Sequence, residues 1–540
     1  MKKIFSVLIV CAVAATAMAM PAKRGWRTCL QADGTTIEVR TLGDEYYHYT
    51  INRDGQEVKL NKNGVYEVVG EAPSAAKVKA RRAEGQARRA RKDVGAPNLA
   101  PRGLLILANF TDKTFKAANT KAVLDSLVNA KNCQVNNGYG SAAQYFRDQS
   151  NGAYQPVFDV YGPVTLSKSY SYYGANDSQG NDEYATDAVI EACILANNQY
   201  SDLNFANYNA DGDNYVDFVY VIYAGYGEAD SDDEDVIWPH NWSIQGAISG
   251  GYSKYKKADT KLDGLYLDNY AMSQELDGST GKLAGNGTFC HEFGHVIGLP
   301  DFYDTEYGTN YSSALTPNDW DIMDGGGYNE SGHCPPNYSV WEKYFFGWHT
   351  PINLGNNGAK LELKANGTEG YQAYQINSSG NLISATTSGE CYYIENRQQQ
   401  GWDTGLPHHG MLIWKVNYNA TKWENNEPNN TANNPLYTIV SASGTKIGTH
   451  LNSNQTAYVY DGPKNPYPGS KSVTTKTIAN KPLKEITEKN GIISLIYIEE
   501  PQGIEDLNIE SETPVKVLHE GNVYIIRNNH LYDLNGRIVR

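Results

Sequence analysis

The stretch CHEFGHVIGLPD, residues 290–301, carries the pattern on which the interpretation of this chain rests. His291 and His295 are four residues apart, so on a helix both imidazoles project from one face and can reach one metal ion. Glu292 follows the first histidine directly and can act as a general base beside the metal. A helix that carries two unrelated histidines is the competing interpretation.

The residues after this helix favour the metal site. Gly298 tolerates the left-handed conformation that turns a chain back at the end of a helix, and this return brings Asp301 towards a third ligand position. Three protein ligands and one open position are typical of catalytic zinc sites, whereas structural sites usually have four ligands. Met323 follows downstream in the segment WDIMDGG, residues 320–326.

These motifs resemble a known family. HExxHxxGxx(H/D) followed by a methionine turn is the layout of the metzincins. HEFGHVIGLPDFYD together with WDIMDGG closely resembles the immune inhibitor A-like metallopeptidases, which are secreted bacterial zinc endopeptidases. The resemblance extends over about residues 103–500 through RGLLILANFTD, YFRDQSNGAYQPVFDVYGPVTL, DGDNYVDFVYVIYAG, VIWPHNW and CYYIENRQQQGWDTGLPHHGMLIWKVNYN.

The resemblance implies a role for each motif residue. His291, His295 and Asp301 are expected to bind zinc, Glu292 to be the catalytic base, and Met323 to lie in the turn beneath the metal.

Two residues near the motifs have a weaker assignment. Tyr328, five residues past the methionine, is a candidate for stabilising the oxyanion, and packing is its alternative role. His240 in VIWPHNW is expected to be structural.

Composition indicates an exported, globular protein of several domains. The chain has 40% hydrophobic and 20% charged residues, as is typical of globular proteins. At 540 residues it is too long for a single domain with one hydrophobic core. Its net charge of −15 argues against nucleic acid as the main partner. The start, MKKIFSVLIVCAVAATAMAM, has the charged, apolar and small-residue regions of a signal peptide, and no later stretch is apolar enough to span a membrane.

Changes of pattern divide the chain into six parts. Short strand-like runs with Asp-Gly turns indicate a β-rich prodomain, and a segment rich in Lys and Arg indicates a linker open to an activating protease of trypsin-like specificity. Buried strands that alternate with helical spacing indicate an α/β (α+β) metzincin-like catalytic domain, and later strands a β-sandwich-like domain. The predicted boundaries are 1–19 for the signal peptide, 20–75 for the prodomain, 76–102 for the linker, 103–350 for the catalytic domain, 351–500 for the β-sandwich-like domain and 501–540 for a C-terminal tail.

The tail resembles the C-terminal β segments of proteins exported by the type IX route, which would make it a sorting signal with attachment to the cell surface. A last strand of the β domain is the alternative.

A calcium loop is predicted at NADGDNYVD, residues 209–217. Asn209, Asp211, Asp213 and Asp217 stand at spacings that place hard oxygen ligands around one cation. The loop lacks a glutamate at its twelfth position, and a polar turn before a buried strand is the competing interpretation.

The cysteines raise two hypotheses. A disulfide between Cys290 and Cys334 would brace the metal site, with free buried thiols as the alternative. Cys29, in the predicted prodomain, is a candidate latency ligand, because a thiolate can fill the fourth position on zinc. Steric blockage of the site by the β-rich unit is the alternative to this switch.

The sequence therefore predicts a secreted zinc endopeptidase that is made as a zymogen and acts on extracellular proteins or peptides. An extracellular adhesin or glycan-binding protein with a silent peptidase-like domain is the alternative. Glu292 discriminates between them, because a binding module does not need a catalytic base.

Overall fold

A computed structural model of the chain describes residues 14–15, 20–23, 25–31, 33–61, 65–88, 91–92, 102–177, 180–231, 233, 235–305, 316–431, 433–440, 475–478, 481–497, 515–519, 522–527, 530–534 and 537–539. The predicted signal peptide lies outside these ranges except for Ala14–Ala15, a short strand that pairs with Arg91–Lys92.

The first block is a five-stranded antiparallel sheet in the region where alternating residues predict a β unit. Neighbouring strands along the chain are neighbours in the sheet, as expected for strands joined by tight turns. Its strands are Arg27–Leu30, Thr36–Asp44, Tyr47–Asn52, Gln56–Leu60 and Tyr66–Glu71.

The predicted linker, residues 76–102, begins as a helix rather than as a solvated segment. This helix is Ala75–Arg88. Val78 and Arg82, four residues apart, are both buried, and Nε of Arg82 donates a hydrogen bond of 2.9 Å to Oδ2 of the buried Asp44. Alanine and basic residues favour helix, and one face of this helix packs against the rest of the protein. The bounds of the linker and its cleavage stay predictions.

The second block is built on a five-stranded sheet that is mostly parallel. In spatial order its strands are His240–Ser243, Asn269–Leu276, Val219–Tyr226, Arg102–Asn109 and Val157–Thr165. The strand His240–Ser243 is antiparallel to its neighbour, and the other three pairings are parallel. A short antiparallel hairpin, Lys261–Leu262 with Leu265–Tyr266, lies outside this sheet.

Both faces of this sheet are covered. In the strand Arg102–Asn109, Leu105 and Leu107 belong to one hydrophobic cluster, and Leu104 and Ile106 to another. This alternation follows from the two-residue period of a strand, and burial on both faces is typical of parallel sheets. The mixed α/β class predicted from the sequence is confirmed.

Helices and short helical turns surround this sheet or connect its strands. The helices are Lys121–Asn129, Ala142–Gln149, Tyr170–Tyr173, Ala185–Gln199, Glu228–Ser231, Ile244–Gly250, Gly287–Val296, Val340–Phe345 and, further along, Ala420–Glu424. The 3-10 turns are Val135–Asn137, Phe205–Tyr208, Lys257–Thr260, Asn318–Trp320, Gly325–Gly332 and Gly401–Gly405.

The third block consists of two sheets. One sheet contains Ile352–Asn353, Tyr374–Asn377, Glu390–Arg397, Gly410–Asn417 and Tyr437–Ile439. The other contains Ala359–Leu363, Ile492–Tyr497, Lys481–Lys489 and Thr475–Ile478. Side chains from both sheets form a single hydrophobic cluster, so the sheets pack face to face. The opposite face of the first sheet contributes Tyr393 and Trp414 to the cluster that contains the helix Gly287–Val296.

The described part of the C-terminal tail forms a separate antiparallel sheet of three strands. These strands are Val515–His519, Asn522–Arg527 and His530–Tyr532, and their described pairings are with one another. The sorting role of the tail stays a prediction. Among the helices of the described residues, none has the length and apolarity needed to cross a bilayer.

Candidate metal centre

The helix Gly287–Val296 presents two different faces. Phe289 and Phe293, four residues apart, pack into the hydrophobic cluster beneath the parallel sheet, with ring centroids 4.8 and 5.3 Å from that of Phe158. His291 and His295 therefore project from another face. The helix is anchored by its aromatic face, so its histidines are held in a fixed direction.

His291, His295 and Asp301 converge on one point. Nε2 of His291 lies 3.0 Å from Nε2 of His295, and Oδ1 of Asp301 lies 3.2 and 3.3 Å from these two nitrogens. All three side chains are buried. Within the described residues, they are the one group of three His, Cys, Asp or Glu whose ligand atoms lie within 4.8 Å of one another.

The chain returns from the helix as the sequence predicts. Gly298 has a φ of +111°, a left-handed conformation that favours glycine. The three residues that follow bring Asp301 back to the two histidines. The local turn therefore completes the ligand group.

Backbone carbonyls orient both imidazoles. Nδ1 of His291 lies 2.6 Å from the carbonyl oxygen of Ile322, and Nδ1 of His295 lies 2.8 Å from that of Leu299. A carbonyl oxygen can only accept, so each Nδ1 is assigned as the donor and each Nε2 is left with a lone pair. Burial lowers the pKa of His295, which favours its neutral form. Neutral imidazoles with fixed tautomers are suited to metal ligation.

Asp301 is held by an amide from the third block. Nδ2 of Asn426 donates to Oδ2 of Asp301, and Oδ1 of Asn426 accepts from the backbone nitrogen of Asp301, each over 2.6 Å. Burial alone would raise the pKa of Asp301, but the adjacent His295 and His291 keep it below its ordinary value. The carboxylate is therefore ionised. Sequence reasoning missed Asn426, because it lies 125 residues away in a segment without a motif.

The surroundings of Oδ1 of Asp301 indicate whether a metal ion fits between the three side chains. Oδ1 is buried and has no hydrogen-bond partner in the described part of the chain. A buried ionised oxygen without a partner is costly unless a cation is close to it. Two imidazole nitrogens and one carboxylate oxygen form a ligand set that zinc accepts, with a fourth position left for a reactant. The residues present therefore fit a catalytic zinc ion.

Glu292 lies beside this group with its side chain fully buried. Burial raises the pKa of Glu292 well above its ordinary value, and the charge of Asp301 raises it further. Oε1 accepts a hydrogen bond of 3.0 Å from the backbone nitrogen of Met20, and Oε2 has no hydrogen-bond partner in the described part of the chain. This carboxyl group can hold a proton close to the ligands.

Met323 packs directly under the helix. The backbone oxygen of Met323 accepts a hydrogen bond from the nitrogen of Phe302 over 2.8 Å. A Cβ atom added to Gly294 would lie 2.6 Å from Sδ of Met323, so a larger residue there would force the side chain of Met323 to shift. The segment around Met323 thus supports the helix from below, next to the carbonyl that orients His291.

The N-terminal segment Met20–Lys23 lies against Glu292, Trp238 and Tyr328. The surface formed by these three residues is called the groove. Nε1 of Trp238 donates to the carbonyl oxygen of Met20 over 3.1 Å, and the hydroxyl of Tyr328 donates to that of Pro21 over 2.8 Å. The nitrogen of Lys23 donates to the carbonyl oxygen of Ala229 over 2.8 Å. Sequence reasoning did not place this segment in the groove, because nothing local in it points to a partner.

Tyr328 contacts the same N-terminal segment as Glu292, since its hydroxyl donates a hydrogen bond to Pro21 and Glu292 accepts one from Met20. Burial raises the pKa of its phenol well above the ordinary value, and Asp230 and Glu292 raise it further. At neutral pH the hydroxyl is therefore protonated and can donate a hydrogen bond to a peptide carbonyl. His240 has the structural role that was predicted, since its ring nitrogens contact the carbonyl oxygen of Trp238 and the hydroxyl of Tyr270.

The predicted calcium ligands form a turn in which their oxygens accept bonds from the local backbone. Oδ1 of Asn209 accepts from the nitrogen of Gly212, Oδ1 of Asp211 from that of Asp213, and Oδ2 of Asp217 from that of Ala210. Calcium binding stays a prediction.

Charges nevertheless accumulate in this turn. Burial raises the pKa of Asp217, and Asp211 and Asp213 raise it further. The three carboxylates are therefore close enough to interact.

The two cysteine hypotheses do not match the structure. Cys290 and Cys334 are free buried thiols, so the predicted disulfide is absent. Cys290 packs into the core cluster under the helix, whereas Cys334 follows the turn Gly325–Gly332. Cys29 lies on the strand Arg27–Leu30 opposite Ile37 and is not part of the ligand group.

Comparisons with known proteins agree with this geometry. Residues 112–353 match the family described as immune inhibitor A peptidase M6, catalytic domain. The chain is 30% identical over 241 residues to immune inhibitor A of Bacillus thuringiensis subsp. alesti, covering 40% of this chain and 33% of that protein. It is 26% identical over 228 residues to the pre-pro-metalloprotease PrtV of Vibrio cholerae serotype O1, covering 38% of this chain and 23% of that protein.

The matched region thus spans a third or less of the length of these relatives. The family match, residues 112–353, contains the helix with His291 and His295, the turn to Asp301 and the segment around Met323. Residues 112–353 of the chain therefore match the M6 catalytic domain of the immune inhibitor A-like metallopeptidases.

Proposed function

We propose that this protein is a secreted zinc endopeptidase that is made as a zymogen. The observation that carries the proposal is the buried group of His291, His295 and Asp301 with Glu292 beside it. A binding protein would not need a buried carboxyl group of raised pKa next to a set of metal ligands. The alternative of an adhesin with a silent peptidase domain has no comparable support.

His291, His295 and Asp301 would hold the zinc ion. When bound, zinc supplies a Lewis acid that polarises a peptide carbonyl and lowers the pKa of a water molecule. Asn426 and the carbonyls of Ile322 and Leu299 keep the three ligands oriented. Such supporting contacts matter because ligand orientation affects both metal affinity and rate.

Glu292 would act as the general base and then as the general acid. It would take a proton from the attacking water and transfer it to the nitrogen of the leaving amine. The contact between Met20 and Glu292 supports this role, because it shows that a backbone nitrogen can approach Oε1 to 3.0 Å. Tyr328 would donate a hydrogen bond to a substrate carbonyl, as it does to Pro21.

Latency would arise from steric blockage rather than from Cys29. The segment Met20–Lys23 fills the groove next to Glu292, and the first β block holds it there through a hydrogen bond from Ala22 to Gly43. Cleavage by another protease after the helix Ala75–Arg88, in the segment rich in basic residues, would let this block leave. The name of the relative PrtV, a pre-pro-metalloprotease, agrees with such processing.

Digestion of a mixed peptide library tests the proposal. The full chain is assayed before and after limited trypsin treatment, with and without a zinc-selective chelator, beside Glu292→Gln. We expect cleavage by the treated wild type that the chelator and the substitution both abolish. Cleavage that survives in Glu292→Gln, or no cleavage by the treated wild type at any metal concentration, would contradict the proposed activity.

A further inference from the structure

The groove that holds Met20–Lys23 ends in an acidic pocket. Nζ of Lys23 forms an ion pair of 2.7 Å with Oδ2 of Asp277, and the side chains are 17% and 3% exposed. The ammonium group also lies 5.7 Å from the ring centroid of Tyr328, a favourable distance for a cation. The lysine of the N-terminal segment therefore occupies a partly buried pocket of opposite charge.

A second carboxylate lies in the same pocket. Asp230 is 2% exposed, and its Oδ2 accepts a hydrogen bond of 2.8 Å from the nitrogen of Gly278, the residue after Asp277. Oδ1 of Asp230 is buried and has no hydrogen-bond partner in the described part of the chain. Burial raises the pKa of Asp230 to about 6, and the nearby charge of Lys23 opposes this rise. One carboxylate oxygen of the pocket thus lacks a hydrogen bond from the described residues even when Lys23 is present.

Release of the first β block would remove two cations that lie near Asp230 in the described part of the chain. Lys23 would leave with the block, and so would Arg27, which donates to the carbonyl oxygen of Asp230 over 2.9 Å. Two buried carboxylates without a cation are unfavourable, and a cationic side chain of a substrate would restore the interaction. A pocket with two buried carboxylates should prefer substrates with a positively charged side chain at this position.

The register of the segment defines which substrate residue would enter. The nitrogen of Met20 contacts the carboxyl group of Glu292, where the nitrogen of a leaving amine must be protonated. Met20 thus stands where the first residue after the cleaved bond would lie, and Lys23 stands at the fourth.

We infer that Asp277 and Asp230 form a specificity pocket for a lysine or arginine side chain at the fourth residue after the cleaved bond. The inference rests on the proposed peptidase function and specifies part of its substrate class. The pocket binds a cation in two situations: Lys23 in the latent chain, and a basic residue of a peptide substrate after activation.

The first test needs no catalysis. Hydrogen exchange of the segment containing residues 20–30 is measured in the full chain for wild type, Lys23→Gln, Lys23→Arg and Asp277→Asn. Asp202→Asn, which removes an exposed carboxylate elsewhere, is the matched control. We expect exchange to rise about fivefold or more in Lys23→Gln and Asp277→Asn, as for the loss of a partly buried charge pair. Lys23→Arg and the control should behave like wild type. Unchanged hydrogen exchange in Asp277→Asn would overturn the inference that this carboxylate binds the lysine of the N-terminal segment.

The second test uses trypsin-treated full chain and four peptides that differ only at the fourth residue after the bond: Lys, Arg, Gln or Glu. We expect kcat/KM to be about tenfold or more higher for Lys or Arg than for Glu, a discrimination within the range of one specificity contact. In Asp277→Asn the ratio of kcat/KM for the Lys peptide to kcat/KM for the Glu peptide should fall towards one. Equal cleavage of all four peptides would overturn the inference and leave the peptidase function intact. Cleavage of none would overturn the peptidase function, and the inference with it.

Discussion

The backbone nitrogen of Met20 donates a hydrogen bond of 3.0 Å to Oε1 of Glu292, across 272 residues of sequence. The contact joins the residue after the predicted signal peptide to the proposed catalytic base. Because both groups are buried, substrate and this segment cannot occupy the groove together. Access to the base is therefore tied to the position of the N-terminal block.

Glu292→Gln should abolish peptidase activity without loss of fold or metal. The substitution removes the group that moves protons but leaves the three ligands in place, and loss of a general base costs about 10²–10⁴-fold in rate. Initial rates on a peptide and metal content by emission spectroscopy are measured on the same sample. Full metal content with full activity would show that another group is the base.

Asp301→Ala should lower zinc content as well as rate, because two imidazoles alone hold a metal weakly. Asn426→Ala keeps all three ligands but frees the carboxylate of Asp301 to rotate. We expect it to weaken zinc affinity by about 10–100-fold, the usual effect of losing a residue that orients a ligand. Competition with a fluorescent chelator gives both affinities. Wild-type affinity in Asp301→Ala would assign the third ligand to another residue, with Asp304 the next carboxylate along the chain.

On the proposal that the full chain is latent, deletion of the segment 20–23 should make it active without cleavage by trypsin. Cys29→Ser should stay latent, because Cys29 does not reach the metal ligands. The assay compares uncleaved and trypsin-treated wild type, Cys29→Ser and the deletion variant on one peptide. Activity of uncleaved Cys29→Ser beside silent wild type would restore the thiol switch. A silent deletion variant that trypsin activates would locate the blockage elsewhere in the first block.

Calcium, if it binds at residues 209–217, should stabilise the fold more than it affects the rate. A cation that binds the native state raises stability by mass action, and it would relieve the repulsion between Asp217 and its neighbours Asp211 and Asp213. A calcium-selective chelator should lower the melting temperature of wild type and have little effect on Asp211→Ala. Unchanged melting of both proteins would leave the segment as a polar turn.

Stability should depend on pH through Lys343, which is buried where the second and third blocks meet. Burial lowers its pKa to about 8 from an ordinary value of 10.5. Between these two values the folded chain has released a proton that the unfolded chain keeps, so stability rises with pH. Below pH 8 the penalty is constant at about 3 kcal/mol.

Lys343→Met provides the matched control, because its side chain does not titrate. The stability of wild type relative to this variant should rise between pH 8 and pH 10.5. Urea denaturation of both proteins at several pH values measures the difference. A difference that does not change over this range would contradict the prediction, whatever its size.

The sequence by itself determined the features that depend on local spacing. The four-residue interval between His291 and His295 places both on one face of any helix, and Gly298 supplies a turn that few other residues adopt. The alternation in the strand Arg102–Asn109 likewise follows from the period of a strand. These features need only the geometry of the backbone, so the mixed α/β class and the ligand group could be predicted.

The tertiary structure alone decided which distant segments complete the site. Asn426 reaches Asp301 from 125 residues away, and Lys23 reaches Asp277 from 254 residues away. The same holds for the helix Ala75–Arg88, whose composition is typical of a solvated linker until Asp44 provides a buried partner for Arg82. Such contacts depend on how whole blocks pack, and packing leaves no periodic signal in either partner's sequence.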